Sequence, residues 1–256
     1  MISRPGRAAA RDVRGRPLLS RAAAILFLLG MVGAASAVAD DLPPDPEASG
    51  LGPSERIDRL INRIEYEQAR TTTLRSGFEQ RKESELLLEP EVSKGRFWFR
   101  SPDAIRWDFA EPDETQVVVN EGTMLTWFKA QGTAEKVDVG GKADRIMEYL
   151  SATNSLDSLR RYFHLQAVFP DDVSAPYRLE LEPRFRRVRK RLESMEIHLD
   201  RRGYFPVYVR YVEPGGDQTE FHFQDVEKNV ELGEDVFTVV LPDDVEVRNL
   251  EIGAGS

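Results

Sequence analysis

Residues 94–109 read KGRFWFRSPDAIRWDF, and this stretch decides the fold. Ser101-Pro102-Asp103 is turn chemistry, since Pro presets φ and Asp bonds its own backbone. Aromatic and β-branched residues flank it on both sides, as strands prefer. The spacing therefore predicts a hairpin with strands near 94–101 and 104–109. Its strands depart from the usual pattern, because a sheet with one wet face alternates apolar and polar residues. Phe97-Trp98-Phe99, and later Leu125-Thr126-Trp127-Phe128, instead put bulk on both faces. A single sheet wrapped around helices hides both faces only by curving. Large aromatics on its concave side then line either a packed core or a ligand cavity, and these residues alone leave both open.

The same signals extend outward. Strand patterns lie near 74–82, 115–120, 123–128 and 134–139, then near 164–169, 177–182, 194–200, 205–212, 218–226 and 236–240. Gly, Pro and Asn-Glu-Gly punctuate them, as hairpins require. Before the strands, Ile57, Leu60, Ile61 and Ile64 share one face of an amphipathic helix ending near Arg70, with Ser54 as a candidate cap. Between the two strand blocks, Ile146, Met147 and Leu150 form one helical face and Leu156, Leu159, Tyr162 and Phe163 another, the second capped by Asn154 or Ser155. No strand–helix–strand alternation occurs, which disfavours a parallel sheet. The expected fold is mainly β: one antiparallel meander with an N-terminal helix and a central helical insertion. No internal repeat is visible.

The N-terminus has a separate logic. Six Arg between Arg4 and Arg21 precede the apolar run 22–32, and Ala37-Val38-Ala39 stands just before Asp40. That order reads as a secretory signal peptide over residues 1–39. The apolar run is short of the roughly 20 residues a membrane span needs. No Cys follows the expected cleavage site, so a lipid anchor is not expected there. Residues 40–53 are rich in Pro, Gly and Asp and read as a disordered linker. Residues 54–256 then form a single domain, of a size usual for one all-β unit. With no Cys in 256 residues, disulfides and thiolate metal sites are excluded. Net charge is −9, and removing residues 1–39, with six Arg and one Asp, takes it to −14. Such acidity argues against nucleic acid as a partner, because that binding rests on phosphate neutralisation by Lys and Arg.

Enzyme signatures are weak. His164, His198 and His222 lie far apart and show no metal-ligand spacing. There is no G-x-S-x-G motif, and Gly140-Gly141-Lys142 lacks the other features of a phosphate loop. Catalysis, metal and cofactor are therefore not expected. One dense basic run stands out, Arg184–Arg191 (RFRRVRKR). Its ordinary reading is a solvated turn between strands; the other is a dock for anionic lipid headgroups.

Taken together, several motifs resemble the LolA-type lipoprotein carriers of the bacterial periplasm. Ser76-Gly77-Phe78-Glu79-Gln80 resembles that family's first strand, the 94–109 hairpin its second and third, and Val117–Phe128 (VVVNEGTMLTWF) the hairpin after it. Asp200 with Pro206 is similar to a later strand pair. Phe221-His222-Phe223-Gln224-Asp225-Val226, Asn229, Phe237 and Pro242-Asp243-Asp244-Val245 resemble its closing segment. The resemblance implies an incomplete antiparallel barrel of about eleven strands that curls without closing, covered by a helical lid. It also implies a cavity for lipoprotein acyl chains. The cargo would come from an inner-membrane ABC lipoprotein-releasing transporter and pass to an outer-membrane receptor, with the carrier a periplasmic monomer. On that basis Phe78, Phe97, Phe99, Ile105, Trp107, Phe109, Leu125 and Trp127 are expected to line the cavity, and Ile146, Met147, Leu150 and Leu159 the lid. The family commonly has an Arg directly before the hairpin proline, bonded to the lid. Here Ser101 holds that place and Arg100 precedes it, and a one-residue shift on a strand reverses the face. Two alternatives stay open: a carrier of another lipid, and an envelope-stress sensor that binds lipids or lipoproteins.

Overall fold

The computed structural model describes residues 41–85, 87–139 and 160–250. The expected signal peptide over 1–39 and the lid residues Ile146, Met147, Leu150 and Leu159 lie outside the described residues. Helix α1 spans Pro53–Ala69. Among the described residues twelve strands follow in chain order: β1 (Thr73–Glu83), β2 (Glu91–Arg100), β3 (Ala104–Glu111), β4 (Thr115–Asn120), β5 (Thr123–Phe128) and β6 (Thr133–Asp138) form the first block. The second holds β7 (Phe163–Val168), β8 (Tyr177–Pro183), β9 (Ser194–Leu199), β10 (Pro206–Val212), β11 (Gln218–Lys228) and β12 (Glu246–Leu250). A short helix α2 (Arg186–Arg189) sits between β8 and β9.

All twelve strands belong to one open sheet, in the order β12-β6-β5-β4-β3-β2-β1-β11-β10-β9-β8-β7. Strands β1 and β11 join the two blocks by an antiparallel ladder from Leu74↔Lys228 to Glu83↔Gln218. Among the described residues the sheet does not close, and β12 and β7 are its edges. Every pairing is antiparallel except β12 on β6, which is parallel.

Three local expectations differ from the structure. Residues 236–240, expected as a strand, begin inside a 3-10 turn over Glu234–Phe237 that lies across the sheet. The twelfth strand is Glu246–Leu250, every residue of it exposed, paired with β6 along its backbone. Helix α1 starts at Pro53 behind Gly52, with no side-chain cap, so Ser54 is not the cap. Pro suits this position because its missing N–H is unpaired there anyway.

Residues 41–52 carry no regular element, as a linker would, yet they are tied to the body of the protein. The Tyr177 hydroxyl donates to Glu47 at 2.9 Å, and Arg201 donates to the same carboxylate at 2.6 Å. The core lies on one face of the sheet, where Leu60, Ile61 and Ile64 of α1 pack against the strands. These are the apolar positions whose helical spacing placed them on one stripe.

Candidate functional site

The hairpin register sorts the candidate residues, because side chains directly opposite one another in an antiparallel ladder share a face. Phe97 faces Trp107, which faces Val117, which faces Thr126; Phe99 faces Ile105, then Val119, then Met124. Gly95 faces Phe109 across β2 and β3, and Phe78 across β1. These residues form the inner face beneath α1. The structure thus brings Phe78, Phe97, Phe99, Ile105, Trp107 and Phe109 together.

Their rings touch one another. Trp107 lies 4.8 Å from Phe78 and 4.6 Å from Phe97 between ring centroids, and Phe221 and Phe223 of β11 approach it at 5.6 and 6.1 Å. Phe78 meets Phe109 edge-on at 5.0 Å. Trp107 is fully buried, and its indole N–H has no acceptor among the described residues. Gly95 makes this packing possible, since a methyl at that position would collide with the Asp108 backbone carbonyl and stand 2.6 Å from the Phe78 ring. Phe109 is only half-buried and marks the margin of the cluster.

Leu125 and Trp127, also expected on the cavity wall, occupy the opposite face. Leu125 pairs with Val118, and Trp127 with Gln116, in the alternate register. Arg100 shares that outer face, opposite Ala104. Its guanidinium donates to the Gly233 carbonyl at 2.7 Å and to Leu232 at 3.3 Å, and covers the Phe237 ring at 4.7 Å. Arg106 donates to the Val236 carbonyl at 2.9 Å while chelating Asp108. Arg100 therefore fastens the C-terminal segment to the outer face. Ser101 uses its backbone N–H to bond the Thr72 carbonyl at 2.8 Å. The bulk on both faces of the hairpin thus has two covers: α1 inside, and Leu232, Val236, Phe237 and Val239 outside, packed with Trp98, Ala104 and Val118.

Asn229 turns the chain from β11 onto that outer route. Its φ of 54° is a conformation Asn tolerates better than most residues. Its side chain accepts from the Thr72 N–H at 2.8 Å and donates to the Arg70 carbonyl at 3.1 Å.

The second block supplies further inner-face residues not named as site candidates from the sequence: Leu179 and Leu181, Met195, Ile197 and Leu199, Val209 and Tyr211, together with Phe221 and Phe223 of the closing motif. Simple apolar alternation in β8–β11 was the signal for them. Few charges interrupt this surface. Glu135 shares a face with Thr126, and burial pushes its carboxyl above the usual range, with Arg248 opposing the shift. Lys228 lies opposite Leu74, and its ammonium donates to the Gly203 carbonyl and sits 3.5 Å from Glu67 of α1. Burial pulls its pKa down, and the Glu67 carboxylate partly restores it. Among the described residues no His, Asp and Glu side chains cluster to hold a metal ion, and no helix is long and apolar enough to cross a membrane.

Comparison with known proteins agrees with the motif reading. The family model for the outer membrane lipoprotein carrier protein LolA matches residues 69–240. An outer-membrane lipoprotein carrier protein of Alkalilimnicola ehrlichii is 28% identical over 186 residues, covering 72% of this chain and 80% of that protein. Among solved structures, an uncharacterized conserved protein from Thermus thermophilus aligns with a TM-score of 0.49 at 10% identity, over 76% of this chain and 99% of its own. MucB in the Pseudomonas aeruginosa MucA/MucB complex aligns with a TM-score of 0.43 at 19% identity, over 71% of this chain and 60% of that one. With its model matched across most of the strands, the chain belongs to the LolA family of outer membrane lipoprotein carrier proteins.

Proposed function

We propose that this protein carries acylated lipoproteins across the periplasm, holding their acyl chains against the inner face of the sheet. The observation that carries the proposal is the continuous apolar inner face, from Val119 and Ile105 through Trp107 and Phe221 to Ile197 and Leu179, in a member of this family. In the scheme, an inner-membrane ABC transporter loads the carrier and an outer-membrane receptor unloads it.

The energetics explain why a carrier is needed. Each buried methylene is worth about 0.8 kcal/mol, so three acyl chains of roughly sixteen carbons carry on the order of 35–40 kcal/mol of gross transfer energy. An apolar face that exchanges one greasy environment for another removes most of that barrier. In this structure the aromatics satisfy one another, so cargo enters by parting contacts that already exist. The half-buried margin of Phe109, Leu165, Ala167 and Phe169 is where parting disturbs least. Ring-to-ring contacts give way to ring-to-acyl contacts of similar dispersion energy, so loading and release both stay reversible. No bond is made or broken in this scheme.

Native mass spectrometry with lipid extraction tests the proposal. Protein purified from the periplasm should carry lipoprotein, or take up a triacylated peptide on incubation. A different lipid would keep the binding face but change the cargo. A mass unchanged after incubation with lipoprotein would refute carriage.

A further inference from the structure

The basic side chains of the turn Arg184–Arg191 play no part in the inner face, yet the turn is a built feature. The Arg184 backbone N–H donates to the Tyr162 carbonyl at 2.8 Å, and its guanidinium donates to the Phe163 carbonyl at 2.8 Å. Val188 and Leu192 turn inward against the core, which fixes the short helix α2 in place. The remaining side chains of the turn, Arg186, Arg187, Arg189, Lys190 and Arg191, are therefore held outward and exposed. At the front of the turn Phe185 stands 42% exposed, an unusual place for a large apolar ring. It packs edge-on against Tyr162 at 5.7 Å, with the Arg187 guanidinium over both rings at 5.6 and 6.0 Å. Arg161 adds a further exposed cation over Tyr162 at 5.8 Å. Asp58 pairs with Arg160, but among the described residues no carboxylate forms an ion pair with Arg186, Arg189, Lys190 or Arg191. Glu182 and Glu193 bound the run without entering it.

We propose that this turn is a docking surface for a bilayer rich in anionic phospholipid. Five arginines and one lysine among eight residues, on a chain whose net charge is −9, make a strongly polarised molecule. Near an anionic leaflet the acidic remainder is repelled and the basic turn attracted, so one orientation prevails. The exposed Phe185 ring then enters the headgroup region, where aromatic side chains are favoured. Charge and one ring together give weak, reversible attachment, because stable anchoring needs more apolar area than a single side chain offers. The attraction acts within a Debye length, about 8 Å at physiological ionic strength, so salt abolishes it. The inference does not depend on what the inner face carries.

The test is flotation of the purified protein with vesicles of phosphatidylcholine containing about one-third phosphatidylglycerol, beside vesicles of phosphatidylcholine alone. Each basic side chain at an anionic surface contributes roughly fivefold, so R189Q/K190Q/R191Q should weaken partitioning about 100-fold. Phe185→Ala should weaken it less, with less dependence on salt. These residues are exposed, so circular dichroism and the thermal midpoint should match the parent. Residues 1–39 have their own basic and apolar stretches, so the comparison of parent with variant is the decisive one. Equal flotation of parent and triple variant, or equal flotation with both vesicle types, would overturn the proposal. Retention on immobilised polyglutamate with none on vesicles would also overturn it, and would assign the turn to an acidic protein partner.

Discussion

Trp107 offers the sharpest test of how the inner face is filled. It is fully buried, with Phe97, Phe78, Phe221, Phe223 and Phe109 between 4.6 and 6.3 Å away. Replacing Trp by Ala in such a site costs about 3–5 kcal/mol when neighbours cannot collapse into the space. Each lost ring pair adds about 0.5–1.5 kcal/mol, though not additively. One effect runs the other way: the indole N–H is buried without an acceptor among the described residues, and deleting such a group returns about 1–3 kcal/mol. The balance for Trp107→Ala is a loss of about 3 kcal/mol. Trp107→Phe keeps most of the ring and also deletes the orphan donor, so its loss should stay below about 1.5 kcal/mol. Urea unfolding followed by circular dichroism reads the difference. At a slope of about 2–3 kcal/mol per molar, the alanine variant should unfold about 1 M earlier than the parent. A loss below about 1 kcal/mol for alanine, or equal losses for both variants, would mean the rings do not pack against one another.

Other outcomes follow from the same geometry. Gly95→Ala should destabilise by about 1–3 kcal/mol, because its methyl collides with the Asp108 backbone carbonyl and with the Phe78 ring; unchanged urea unfolding would count against the close approach of β3 and of that ring. Arg100→Ala removes the donors to Leu232 and Gly233 and uncovers Phe237. It should accelerate hydrogen exchange and proteolysis within residues 229–250 while costing about 1–2 kcal/mol. Exchange confined to the inner face instead would show that Arg100 acts elsewhere. Glu135 gives a pH signature. Its folded pKa is raised by burial, so its contribution is present below the unfolded pKa and lost as pH rises through the folded one. Glu135→Gln should therefore gain stability relative to the parent near pH 7 and flatten the fall above pH 4.5; a parent and variant with parallel pH profiles would contradict the sign.

The strand pattern was legible because alternation and turn chemistry are local. The strands from β1 to β11 need only Pro, Gly or Asn at their ends and branched or aromatic residues between. The face of each side chain was harder. Trp98, Leu125 and Trp127 look like Phe97 and Trp107 in sequence, and only the register and the cover over each face separate them. That cover is long-range, since Phe237 reaches Arg100 and Val118 from the far end of the chain. Residues 236–240 carry strand-forming side chains, but crossing over the sheet overrides their propensity. Strand β12 had no apolar pattern to read, because all its side chains face solvent. Arg100 was the instructive case. It lies on the outer face and donates there to the Leu232 and Gly233 carbonyls, partners that its position in the hairpin sequence does not reveal.

The central claim is that acyl chains lie against the inner face, and Trp107 can report it. Trp98 and Trp127 lie on the outer face, so a W98F/W127F variant leaves the inner indole as the only one of the three. A triacylated peptide with brominated chains quenches only indoles it touches. Saturable quenching of Trp107 is expected, and none in the complementary W107F variant. Binding of the peptide with Trp107 unquenched would place the acyl chains elsewhere and contradict it.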